Sequence, residues 1–305
     1  MPLFNKFFKN MNNKCILKPD FVTGLSDAER CSSVRVWENK RTKFKINVQL
    51  DFKIKMLENE TELLYMVRSF FNCGILWHYS KDGTVWFRVQ DIYSIKNNII
   101  PHFLKYPLRG TKYLDFLSFK EAFHIIESKE HLTKKGMDKL YSLSKGMNTG
   151  REYLTDVYYS PNHTKENNIN YIPISGHYIN GFITGDGCLS LNLGKLFGTM
   201  YLSISQHKNN RLLMESIAKY FESQSKLYSG RTNDIQINIG GVQLWDNVIF
   251  RHFERYPLYG NKKLKLYKLL SIRELKRNSK HLIQVGKYRK WKSYYKLRII
   301  EIWES

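Results

Sequence analysis

Alternating and helical spacings of apolar residues divide the chain into short elements that come in a fixed order. Residues 44–56 alternate strictly. Phe44, Ile46, Val48, Leu50, Phe52, Ile54 and Met56 share one face, and Lys45, Asn47, Gln49, Asp51, Lys53 and Lys55 share the other. Period two with one polar side predicts a half-exposed antiparallel strand. Residues 33–37 alternate in the same way, with Val34 and Val36 against Ser33, Arg35 and Trp37. Residues 60–71 put Leu63, Leu64, Val67 and Phe71 on one side of a helix. Strands at 75–79 and 85–90 flank Lys81-Asp82-Gly83, a hairpin signal. Helices are predicted near 95–104 and 113–128.

The order then returns. Strands are predicted at 189–193 and 200–206, a helix at 211–221, a hairpin around 229–233, and helices after it. Identical residues mark the repeat. His102-Phe103, Tyr106-Pro107-Leu108, Gly110, Lys112, His131-Leu132 and Gly136 recur 150 positions further on, from His252-Phe253 to Gly286. The pattern predicts an α+β fold in which one αββαββα unit is used twice. Residues 18–145 form an N-terminal half, the polar stretch 146–170 a linker, and residues 171–303 a C-terminal half. The first copy carries seven extra residues, expected around 38–43 as a longer hairpin loop.

One pair of stretches organises both halves: Val22-Thr23-Gly24-Leu25-Ser26-Asp27-Ala28-Glu29-Arg30-Cys31 and Ile179-Asn180-Gly181-Phe182-Ile183-Thr184-Gly185-Asp186-Gly187-Cys188. Each reads as an apolar helix with small residues four apart, Gly24/Ala28 and Gly181/Gly185. That spacing lets two helix backbones approach closely. Side by side, the helices bring Glu29 and Asp186 together at one end of a seam. Carboxylates at helix C-termini repel each other and meet the negative dipole end. A divalent cation relieves this, and Mg²⁺ is commonly held by one or two carboxylates with water and phosphate oxygens. Such metals activate water and stabilise the leaving oxygen in phosphodiester hydrolysis.

Charge narrows the partner. The 305 residues carry a formal +22, which points to a polyanion, and nucleic acid is the default. Hydrophobic residues at 42% are enough for a substantial core. Cys15, Cys31, Cys73 and Cys188 have neither zinc spacing nor a disulfide pattern. No apolar run reaches the ~20 residues of a membrane span. Residues 1–19 hold lysines and no acid, loosely like an organelle-targeting segment, but no arginine. Abundant Lys, Asn, Ile, Tyr and Phe fit AT-rich codons and hint at an organellar gene. The candidate nucleic-acid face holds Ser33, Arg35, Trp37, Lys45, Asn47, Gln49 and Lys53 in the first half. In the second it holds Ser190, Asn192, Tyr201, Ser203, Ser205, Gln236 and Asn238. Polar side chains on such a sheet can read base edges in the major groove of double-stranded DNA.

These two motifs and the doubled order resemble the single-chain LAGLIDADG homing endonucleases, in particular those of fungal mitochondrial introns, over nearly the whole chain. The resemblance implies a monomer with a saddle of two sheets over a long pseudo-palindromic DNA site. It implies Mg²⁺-dependent double-strand cleavage leaving short 3′ overhangs, and a mitochondrial location. By the same resemblance Glu29 and Asp186 are the metal-binding acids, and Gln206 helps to order the active-site water. The alternative is a weakly catalytic or noncatalytic relative that binds intron RNA as a maturase or ribonucleoprotein component. Departures accompany the match. Arg30 stands where the family has glycine. If that position needs a left-handed backbone, arginine costs ~1–2 kcal/mol, and its charge beside Glu29 competes with a metal. Ser32 replaces an aromatic, and Met56 occupies the place equivalent to Gln206. No basic residue is found at 89–91 or 239–241, where many relatives have one.

The remaining features have plainer readings. The basic, aromatic run at 287–298 suits phosphate clamping or single-strand stacking, and equally a packed helix anchored by Trp291, Leu297 and Ile300. His207 and His252 are expected in packing or surface roles, and the Tyr-Pro-Leu segments as helix terminators.

Overall fold

The computed structural model describes residues 17–41, 46–148, 174–193, 198–225, 227–229, 233–284 and 288–304, with side chains at all of these but 30, 31, 229, 279–284 and 288–295. The first half runs α1 (Pro19–Glu29), β1 (Arg30–Glu38), β2 (Ile46–Leu57), α2 (Thr61–Phe71), β3 (Ile75–Tyr79) and β4 (Thr84–Val89). It continues through a π-helical stretch (Ile95–Ile99) into α3 (Ile100–Lys105), then α4 (Lys112–Glu127) and α5 (Lys134–Lys145). The second half runs α6 (Gly176–Asp186), β5 (Gly187–Asn192), β6 (Thr199–His207), α7 (Arg211–Tyr220), β7 (Tyr228–Ser229) and β8 (Asp234–Gly240). A second π-helical stretch (Trp245–Ile249) leads into α8 (Phe250–Arg255), α9 (Asn261–Gln284) and α10 (Tyr288–Glu304). Each half holds one antiparallel four-stranded sheet, in the orders β1-β2-β4-β3 and β5-β6-β8-β7. The α+β fold with two antiparallel sheets is as the repeat predicts.

Each sheet buries one face. Leu50, Phe52, Ile54 and Met56 of β2 face α2, α3 and α4 in a core rich in Phe71, Phe87, Phe103, Phe116 and Phe119. Leu202, Ile204, Ile235, Ile237 and Ile239 do the same against Phe221, Trp245, Phe250 and Phe253. The alternation thus separates the faces correctly, with one exception. Asp51, expected among the exposed residues of β2, is 1% exposed. It lies under Arg88, which no periodicity in β2 could reveal.

Three further expectations change. The seven extra residues lengthen the hairpin itself and not only its loop: β1 and β2 have 9 and 12 residues against 6 and 9 in β5 and β6. α5 follows α4 where no helix was expected, started by Thr133, whose Oγ1 accepts from the Gly136 amide at 3.1 Å. In α10 it is Ile299 that is buried while Leu297 is exposed, so the packed register differs from the one expected. The linker expectation falls outside the described residues beyond 148, and so does the clamping role of the side chains at 287–295. Among the described residues no helix is long and apolar enough to cross a membrane.

α1 and α6 cross at the middle of the molecule. A Cβ on Gly24 would overlap the Tyr178 carbonyl, one on Gly181 the Phe21 carbonyl, and one on Gly185 the Ala28 Cβ. Backbone touches backbone, as the small-residue spacing requires. Both helices are buried on nearly all sides. Symmetric clamps hold them from outside. The Thr23 hydroxyl donates to the Tyr106 carbonyl at 3.1 Å and lies 3.1 Å from His102 Nε2. Asn180 donates to the Tyr256 carbonyl, and its Oδ1 lies 2.6 Å from His252 Nε2, whose ring also meets the Tyr220 hydroxyl at 2.9 Å. Burial pushes His102 down to about 4 and His252 to about 3, so both rings are neutral at ordinary pH.

Candidate active site

The closing residues of α1 and α6 are Glu29 and Asp186, brought to the same end of the helix seam. Both carboxyls are held above the ordinary acid range. Burial is the larger cause in each, and the charge of Asp186 raises Glu29 further. Two lysines oppose this. Lys112 and Lys262 both pull the two acids down. Lys112 Nζ donates to the Ala28 carbonyl, and Lys262 Nζ to those of Thr184 and Gly185. These carbonyls belong to the last turn of each helix, where no intrahelical donor reaches them. Each lysine therefore satisfies a helix end and places a cation beside the acids. Burial drives Lys262 below the usual lysine range, against the attraction of Asp186, Glu29 and Glu60.

Gln206 completes one side. Its Nε2 donates to Asp186 Oδ2, and its Oε1 accepts from Asn210 Nδ2 at 2.8 Å. Asn210 Oδ1 in turn accepts from the Thr111 amide at 2.9 Å, so a residue of the first half fixes a glutamine of the second. At the position equivalent to Asn210, Glu60 accepts from the Asn261 amide at 3.0 Å. At the position equivalent to Gln206, Met56 packs into the first core. Among the described residues, Asp186 alone of the two acids thus has a side-chain amide partner. Asp27, two residues before Glu29, is buried and accepts from the Arg109 amide at 2.6 Å and the Tyr178 hydroxyl at 2.8 Å. It ties α1 to the loop before α4, and its charge adds to the upward push on Asp186.

Two carboxylates flanked by cations offer hard oxygen donors. No group of three His, Cys, Asp or Glu stands together among the described residues. The donor set suits an ion that takes the rest of its shell from water and phosphate, as Mg²⁺ does.

The sequence profile of the LAGLIDADG endonuclease matches residues 22–123 and 179–273, both halves and most of the chain. The chain belongs to the LAGLIDADG endonuclease family. It is 30% identical to the probable intron-encoded endonuclease 2 of Neurospora crassa over 286 residues, 88% of this chain and 63% of that protein. It is 27% identical to the probable intron-encoded endonuclease 3 of the same organism, over 93% of this chain and 55% of that one. The chain therefore spans about three fifths of the length of these relatives. Among solved structures it is similar to the I-LtrWI LAGLIDADG homing endonuclease bound to target DNA. There the TM-score is 0.75 at 26% identity, over 93% of this chain and 96% of the other. I-SmaMI bound to its uncleaved DNA target with calcium ions shares the fold at 24% identity and a TM-score of 0.76, over 91% and 98%.

Within this LAGLIDADG chain, Arg30 does not carry the backbone cost expected of it. The equivalent Gly187 has φ −78° and ψ 150°, an extended conformation open to any residue. Glycine at 187 is instead dictated by space, since a Cβ would meet the Ile183 carbonyl at 2.7 Å. The structure sets basic side chains beside the acids not from 89–91 or 239–241 but from α4 and α9, as Lys112 and Lys262. They had surfaced only as repeat markers.

Register puts the expected contact residues on the two polar faces. Ser33, Arg35 and Trp37 stand opposite Asp51, Gln49 and Asn47, and Lys53 stands opposite Arg88. Ser190 pairs with Tyr201, Ser203 with Asn238 and Ser205 with Gln236, while Asn192 closes β5 on the same face. Lys45 lies outside the described residues. Alternation already places Lys55 on the first face; the sequence reading missed Trp77, Tyr79, Trp86 and Arg88 there. The alternation of β4 was the signal for Trp86 and Arg88.

Proposed function

We propose that the chain is a site-specific endonuclease that cuts duplex DNA in both strands at the centre of a long, two-part site, leaving short 3′ overhangs. One observation carries this reading: two acids meet at the end of a backbone-tight helix pair, between two sheets whose polar faces point away from their cores. A monomer then presents one half-sheet to each half of the target. Glu29 and Asp186 would hold Mg²⁺, which supplies Lewis acidity toward the phosphate and a more acidic bound water. The other residues prepare the site. Gln206 fixes the orientation of Asp186 and offers a polar edge to the attacking water. Lys112 and Lys262 keep positive charge beside the phosphate, where negative charge grows during displacement.

The intron-encoded naming of the relatives and the codon-biased composition support an organellar, mitochondrial setting. The test is cleavage of a plasmid that carries the site selected from randomised duplexes. With Mg²⁺ the wild type should linearise it, and Asp186→Asn should lower the rate by at least about 10³-fold with binding kept. A chain that binds intron RNA and cuts no selected duplex would overturn this reading in favour of the RNA-binding alternative.

A further inference from the structure

The two polar faces are built from the same frame but carry different chemistry. On the first, buried Asp51 accepts from Arg88 Nε at 2.7 Å and Nη2 at 2.9 Å, with Arg35 Nε 3.5 Å away. Arg35 Nη2 donates to Gln49 Oε1 at 2.6 Å. The Gln90 amide, its oxygen turned toward the cations, accepts from Arg35 and Arg88 at 2.6 and 2.7 Å. Arg35 and Arg88 remain 44% and 22% exposed over a carboxylate that is 1% exposed. Two guanidinium forks are thus locked on the sheet surface before any partner arrives.

The repeat gives the matching positions on the second face. Arg35 corresponds to Asn192, Asp51 to Tyr201, Arg88 to Asn238 and Gln90 to Gly240, each pair occupying the same place in its sheet. Neither the buried acid nor its cations are present there, and Gln236 Nε2 donates to Asn238 Oδ1 at 3.3 Å. Guanidinium forks suit the O6 and N7 acceptors of guanine, and amides suit the N6 and N7 of adenine.

We infer that the Arg35–Asp51–Arg88 cluster reads G·C pairs in the half-site under the first sheet, while Asn192 and Asn238 read A·T pairs at the dyad-related positions. The two half-sites therefore differ in base class at matching distances from the cut. Arg35 and Arg88 specify, and Asp51 acts as a positioning residue. This rests on the duplex-DNA reading above.

Binding selection from a randomised duplex library, using the full chain, tests it. The expected site carries G·C at the pairs under Arg35 and Arg88 and A·T at their dyad mates. Arg88→Asn and Arg35→Asn, which copy the second half, should each turn one pair from G·C to A·T. The change in preference should be about ten-fold, with the other positions unmoved. Asp51→Asn should relax both pairs together by a similar factor. Melting curves show which variants fold, and exposed Arg35→Asn decides the matter if Arg88→Asn does not. A site with the same base class on both sides overturns the inference and leaves the nuclease reading standing. So does a uniform loss of affinity for every sequence. Recovery of no duplex at all would take down both.

Discussion

Glu29 and Asp186 are destabilising neighbours in the absence of a cation, and the direction of their shifts says how this shows. A carboxyl whose folded value is raised holds its proton to higher pH than in the unfolded chain. Stability therefore falls as pH rises from the ordinary values of 4.5 and 3.8 through the raised folded-state values, above which the cost is complete. Asp186→Asn removes the share of Asp186 and its repulsion of Glu29, leaving the burial of Glu29. The variant's thermal midpoint at pH 7 is expected above the wild type's, and Mg²⁺ should raise the wild-type midpoint but not the variant's. A wild type that melts higher than the variant without metal would contradict this account. The acids were legible because their motif is written twice. Lys112 and Lys262 were not, because each acts on a helix end some eighty residues away in sequence, about which spacing is silent. Asp51 was misread for the same reason: alternation assigns a side of the sheet, while burial came from a neighbour on β4.

The contact between α1 and α6 makes a sharper demand than core packing does. At Gly24 and Gly181 the obstacle is a carbonyl of the opposite helix, which cannot rotate aside as a side chain would. Alanine at either site gains helix propensity of ~1 kcal/mol but forces the helices apart, at a net loss of about 2 kcal/mol or more. Denaturant titration should detect it, and cleavage should fall further than binding because both acids move. Gly83 is the control. Unlike Gly24 and Gly181 it has positive φ, but open space surrounds it, so Gly83→Ala should cost only ~1 kcal/mol. The strand and helix pattern was readable wherever apolar periodicity was strong, as in β2 and α2. It failed at α5, a mostly polar helix whose start depends on a threonine cap.

Across the whole molecule, charge and buried histidines set opposite sensitivities to the medium. With +22 overall, binding should weaken steeply with salt. For six to ten neutralised phosphates the loss is about 10³–10⁵-fold between 50 and 200 mM, read from a log–log plot of affinity. Acid acts on the fold instead. His102 and His252 are depressed, so the stability tied to their neutral rings is complete above about 6.5. It drains away as pH falls toward about 4 and about 3. Unfolding followed by circular dichroism should become easier from pH 6.5 downward, even though the carboxyl pair works the other way. Both histidines were visible in the sequence as repeat partners, but their grip on Thr23 and Asn180 depends on a helix packing that only three dimensions supply.

The mismatch between Gln206 and Met56 has a consequence in time. On the proposed reading, duplication supplies two chemical stations, one for each DNA strand, and among the described residues the station at Asp186 alone has its amide in place. The strands should then be broken one after the other. Supercoiled substrate should pass through a relaxed, singly nicked circle before the linear product forms. Gln206→Met, which makes the stations alike, should slow the first break and shrink that transient.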